Sequence, residues 1–315
     1  MELIKSYYPT NIKINIEKKT LNEEIKHSIL SELEDKTFIK DELQELLKSH
    51  YYYQISYKNI IFNSLPAPCV KQSLLKKIIK RIDTLIQIYK MKLIPITIWL
   101  IPTESKRIFP QKGAHIQPIH INGGYTYISN HTIYVYRCEE FAKVILHEVL
   151  HNSVLQIKWS YEKLMELYKF LNIQDEKCNE YICETRLEPE EAIIEVWALY
   201  YQIMFQAYER KIDLMTLFNE ELNWSLYQTK KLLSYKNKYY QNGWKEDTHA
   251  YSYIFLKTIF LYFWNDFSKI QMPYTDKIIT EFIINHKDSE ALQEAIKYSK
   301  NYKTKSFRMT RFGDL

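Results

Sequence analysis

Two histidines and a glutamate stand at the spacing His147-Glu148-Val149-Leu150-His151. They lie in the run EEFAKVILHEVLHNSVLQ, residues 139–156, whose apolar period predicts a helix. Residues four apart share a helical face, so both imidazoles can reach one ion. Glu148 is offset by one residue. That places its carboxylate beside the ion, as a general base acting on metal-activated water requires. Val144, Ile145, Leu146, Val149 and Leu150 make the helix apolar on most sides. Three polar side chains inside such a helix need partners, and a metal supplies them.

A catalytic zinc takes three protein ligands and keeps one position for water. His151 is followed by Asn152-Ser153-Val154, so no third histidine continues the motif. Downstream, Glu188-Pro189-Glu190-Glu191-Ala192-Ile193-Ile194-Glu195-Val196-Trp197-Ala198 opens a second helix with Pro189 in its first turn. Glu191 and Glu195 share a face of it. One carboxylate can bind the metal, and the other can accept the free N–H of a ligating histidine and fix its tautomer. Glu188 and Glu190, at the helix start, complement the helix dipole.

H-E-x-x-H followed tens of residues later by a helical E-x-x-x-D/E resembles the gluzincin zinc metallopeptidases, and EAIIEVWA is similar to the E-A-I-x-D-V-x-A segment of the angiotensin-converting-enzyme family. The resemblance covers these two segments only. It implies that His147, His151 and Glu191 bind Zn2+, that Glu148 is the catalytic base, and that Glu195 is the carboxylate behind a ligand. Glu195 stands where most gluzincins carry Asp. The resemblance also implies a zincin-like fold, with a β-sheet ahead of the active-site helix whose edge strand binds substrate backbone. Gluzincins supply an oxyanion donor from a later helix. His249 is the first candidate here, Tyr253 one turn on the second, and Tyr251 a weaker third.

The elements that must position these residues follow from patterning. Residues 1–92 read as a mostly helical region, with helices over 37–53 and 70–91 on either side of Pro66-Ala67-Pro68. Residues 93–136 read as a small sheet with strands near 94–101, 116–121, 125–129 and 132–136. Gly123-Gly124 reads as a hairpin turn or as a point of substrate approach. His115, His120 and His131 take surface or turn roles. The helical period returns over 139–156 and 161–171, from 189 to about 208, in a pair of helices between 214 and 240, from 248 to about 270, and in two short helices after 276. The fold class is therefore α+β and predominantly helical, with a metallopeptidase domain over 93–315 whose helical C-terminal part spans 160–315. The basic, aromatic tail KTKSFRMTRFGDL reads as a packed or flexible terminus.

Composition narrows the function classes. The 315 residues are 46% hydrophobic and 26% charged, which excludes a disordered chain. The bias toward Lys, Ile, Asn and Tyr tracks AT-rich codons. It suits an AT-rich microbe or a large DNA virus, and in the latter case localisation extends to the virion. Basic and acidic residues, 43 and 38, are well mixed, so no specific nucleic-acid partner is predicted. A Lys-rich helical face over 71–81 is the weak exception. No apolar run is long enough to span a membrane and no apolar leader opens the chain, which points to a cytoplasmic or other intracellular protein. Cys69, Cys138, Cys178 and Cys183 read as unpaired thiols in a reducing compartment.

The expected function is a zinc-dependent peptidase acting on a peptide or protein substrate. The alternatives are a metal-dependent hydrolase of a non-peptide amide and a non-enzymatic, zinc-containing interaction protein. Oligomeric state is not legible.

Overall fold

Runs of alternating β-branched and aromatic residues build one six-stranded mixed sheet. A computed structural model describes residues 1–10, 12–91, 95–173, 187–244 and 246–313. The strands are β1 (Glu17–Thr20), β2 (Tyr51–Tyr57), β3 (Ile60–Ser64), β4 (Ile96–Leu100), β5 (Gly124–Tyr127) and β6 (Thr132–Val135). Their order across the sheet is β1-β2-β3-β4-β6-β5. β3, β4 and β6 are mutually parallel, and β5 runs antiparallel to β6 at the sheet edge.

The period-two alternation buries both faces. Ile96, Ile98, Leu100, Ile133 and Val135 enter the main core, while Leu65, Ile101, Tyr134 and Tyr136 enter a second one. The second core is covered by α2 (Glu23–Glu32) and α3 (Lys40–Leu46), after a short α1 (Glu2–Tyr7). On the main-core side lie α4 (Gln72–Ile88) and, beyond a four-residue turn α5 (Pro118–Ile121), the motif helix α6 (Phe141–Leu150). The C-terminal part is helical: α7 (Tyr161–Leu171), α8 (Pro189–Arg210) and α9 (Leu214–Tyr239) come first. A π-helical turn over Ser252–Leu256 continues into α10 (Lys257–Tyr262) and α11 (Trp264–Phe267). The chain then forms α12 (Asp276–Lys287) and α13 (Glu290–Lys297). The class is α+β, about 52% helical.

Several expectations need correction. The sheet is not confined to 93–136, because three of its strands come from residues 17–64. Tyr51-Tyr52-Tyr53 opens a hairpin where helical spacing extended the preceding helix to 53. Its turn runs through Lys58 at φ 50, so no glycine marks it. Residues 116–121 are not a strand: Pro118 sets the first turn of α5, and His120 accepts from the Gln117 amide. The expected pair of helices over 214–240 is one helix, since no Gly or Pro interrupts it.

Cys69 and Cys138 form a disulfide across 69 residues, so the expectation of unpaired thiols fails for them. The fold brings the loop before α4 beside the approach to α6, which spacing cannot reveal. Cys178 and Cys183 lie outside the described residues.

The Lys-rich face of α4 is tied inward in part. Arg81 is fully buried and grips Glu209 through two hydrogen bonds of 2.8 Å, and Lys77 also pairs with Glu209. The tail is packed as far as residue 313. Glu140 and Glu221, both buried, accept the amides of residues 309–312, and Lys257 donates to the Met309 carbonyl. Among the described residues no helix is long and apolar enough to cross a membrane.

Candidate metal centre

Helix α6 is wedged between the sheet and α8, and every one of its ten residues is buried. It starts abruptly at Glu140, held in the left-handed region at φ 65. Glu140 is locked there by Arg107, 3.1 Å away, and by the amides of the tail. This fixes the rotation of α6 about its axis, and with it where the two histidines point.

Those histidines face α8. His147 Nε2 lies 3.2 Å from His151 Nε2 and 3.1 Å from Glu191 Oε2, and His151 Nε2 lies 3.6 Å from Glu191 Oε1. The ligand atoms of His147, His151 and Glu191 all fall within 4.8 Å of one another. A tetrahedral ion with bonds of about 2.0–2.1 Å separates its ligand atoms by about 3.3 Å. The three donors already sit close to that spacing, and two neutral imidazoles with one carboxylate suit zinc.

Behind the donors is a layer of fixed partners. His147 Nδ1 donates to Glu195 Oε2 at 3.0 Å, which turns Nε2 toward His151 and Glu191. The same oxygen accepts from Lys143 Nζ. Lys143 and Glu195 are both fully buried. Burial works against the charge on Glu195, but the Lys143 ammonium and the His147 hydrogen bond override it and hold its pKa down to about 2. Glu191 is likewise held well below the carboxylate range, against burial, by the charges of His151 and His147. Burial works against a charge on His147, yet its hydrogen bonds to Glu191 and Glu195 lift its pKa to about 10.

Glu148 is held from the sheet edge, close enough for its charge to act on His147 and Tyr253. Thr126 of β5 donates to Glu148 Oε2 at 2.6 Å and to the Glu148 carbonyl at 3.1 Å. A carboxylate held on one oxygen keeps the other available for proton transfer.

Tyr253, in the π-helical turn, sets its ring edge-on to His147 with centroids 5.7 Å apart. Burial first, then the charges of Glu191, Glu148 and Glu195, raise its hydroxyl far above the ordinary phenol value, so it remains a donor. His249 packs edge-on against Tyr253 at 5.8 Å, and its charge lowers the Glu191 pKa. Tyr251 is buried among Trp244 and Phe255, away from the cluster.

Every residue predicted as ligand, base or supporting carboxylate therefore converges, with Tyr253 and His249 alongside. Gly123 and Gly124 have a different reason. A Cβ on Gly123 would meet the Arg107 guanidinium at 2.1 Å, and one on Gly124 would meet Val144 and the Tyr134 carbonyl within 3 Å. They let the edge strand close onto α6 and Arg107.

Sequence reasoning missed Lys143 and Thr126. Lys143 had a signal, a lone lysine one turn before His147 in an apolar helix. Thr126 had none, being one threonine in the run Tyr125-Thr126-Tyr127. No family model, curated protein or solved structure matches this chain.

Proposed function

We propose that this chain is a zinc-dependent peptidase of the gluzincin type, with His147, His151 and Glu191 holding the ion. The observation that carries the reading is the cluster of one donor atom each from His147, His151 and Glu191, all within 4.8 Å of one another, with Glu148 held next to it by the edge strand. The order of elements supports it: a mixed sheet whose edge strand β5 pairs antiparallel with β6, then directly the motif helix.

When bound there, zinc supplies Lewis acidity to a water molecule and to the substrate carbonyl. The chain's own residues do the rest. Strand β5 offers its unpaired edge to an extended substrate backbone. Glu148 takes a proton from the attacking water and delivers it to the leaving amine. Thr126 holds that carboxylate in place. Tyr253, kept protonated by burial, donates to the oxygen that gains charge, with His249 packed behind it. Glu195 keeps the Nδ1 proton on His147.

Glu148→Gln tests the reading. It should lose at least 100-fold in hydrolysis of a casein or peptide-library substrate while retaining its metal. Full activity in that variant refutes the assignment, and hydrolysis confined to non-peptide amides refutes the substrate class.

A further inference from the structure

A cavity of about 460 Å³ adjoins the metal centre on its far side, and His151 forms part of its wall. Its apolar walls are Tyr89 and Met91 after α4, Ile96 at the start of β4, Ile128 in the β5–β6 turn, and Val154 beyond α6, and they alternate with an equal number of polar side chains, Lys90 and His131 among them. Tyr89, Met91 and Ile96 form a buried floor, while Ile128 and Val154 are half-exposed at the mouth. No mechanistic duty assigned above uses this space.

Its position relative to the edge strand follows from three contacts. Gly124 abuts Val144, Thr126 binds Glu148, and His131, past the turn, meets Asn152. Strand β5 and helix α6 thus run side by side in the same direction, and the cavity lies where both end. A peptide pairing antiparallel to β5, as β6 does on the other edge, has its N-terminal half over the Tyr127–Ile128 end. Its carbonyl at the metal leaves the preceding side chain over the cavity. We infer that this cavity receives a large apolar side chain, Phe, Tyr, Leu or Met, on the acyl side of the scissile bond. The inference rests on the peptidase reading and adds the class of substrate. Apolar walls desolvate such a side chain at a gain that a small or charged residue does not match.

The test separates binding from cleavage. Zinc-loaded Glu148→Gln protein, its metal content checked, is titrated by calorimetry with two blocked hexapeptides that differ only by Phe or Ala at one central position. The Phe peptide should bind at least ten-fold tighter, and adding Val154→Asp or Ile128→Asp should erase the difference with zinc content and melting temperature unchanged. Equal affinities, or a preference that survives both substitutions, overturn the inference. In parallel, the wild-type protein is given a peptide library and its cuts are mapped by mass spectrometry. Cuts that follow bulky apolar residues support the inference. Cuts without that preference overturn it and leave the peptidase reading intact. Tight Phe-peptide binding with no cleavage overturns the peptidase reading and keeps the pocket.

Discussion

Replacing Lys143 with Met removes a buried ammonium that hydrogen-bonds Glu195 Oε2, and leaves a fully buried carboxylate that keeps, among the described residues, the hydrogen bond from His147 and the weaker attraction of the Lys257 charge. Breaking one side of a buried ion pair costs about 3–5 kcal/mol, because the remaining charge has lost its compensation. Replacing both partners avoids that cost, so Lys143→Met/Glu195→Gln should be more stable than Lys143→Met alone. The expected coupling is 2 kcal/mol or more, read from urea unfolding in chelator. Zinc affinity should follow the same pattern. Losing the partner that orients a ligating histidine weakens metal binding roughly 10–100-fold, or about 1.4–2.7 kcal/mol. Lys143→Met should cost about that much in wild type and nothing further in a Glu195→Gln background, as measured by competition with a chromophoric chelator. Additive losses in both assays would refute the chain of action Lys143 to Glu195 to His147 and leave Lys143 as packing.

Thr126→Val keeps shape and removes the hydroxyl that holds Glu148. It should lower kcat roughly 10-fold with metal content unchanged, checked by steady-state kinetics beside metal analysis. Cys69→Ser opens a loop of 69 residues and should cost about 4 kcal/mol by chain entropy, seen as a lower urea midpoint. Burial opposes the charge on Glu209, but Arg81 lowers its pKa from 4.5, so its contribution is present above that value and lost as pH falls below it. Glu209→Gln should therefore lose less stability than wild type between pH 7 and pH 3 in parallel urea titrations.

The candidate cluster was legible because its residues are local in sequence. His147, Glu148 and His151 share one turn of one helix, and Glu191 and Glu195 one turn of another. Helix periodicity alone fixes which side chains face together. Helix α7 follows the predicted bounds for the same reason: Ser160 caps it and the apolar period is clean. What escaped was non-local. The hairpin of β2 and β3 turns at Lys58, whose left-handed backbone no residue type announces. Its partner β4 lies beyond a 17-residue helix. The Cys69–Cys138 pair exists only once the loop before α4 meets the start of α6. Thr126 acquires a role from the strand it occupies. Lys143 lay between the two cases, since a buried lysine in an apolar helix demands a carboxylate, but the sequence does not name which one.

The most direct measurement is the metal content of the purified protein by plasma mass spectrometry, with Glu191→Ala measured beside it. The account predicts about one zinc per chain in the wild type and its loss in the variant, with the fold retained by circular dichroism. No zinc in the wild type after zinc is supplied, or full zinc in Glu191→Ala, would contradict the three-ligand centre on which the proposed activity depends.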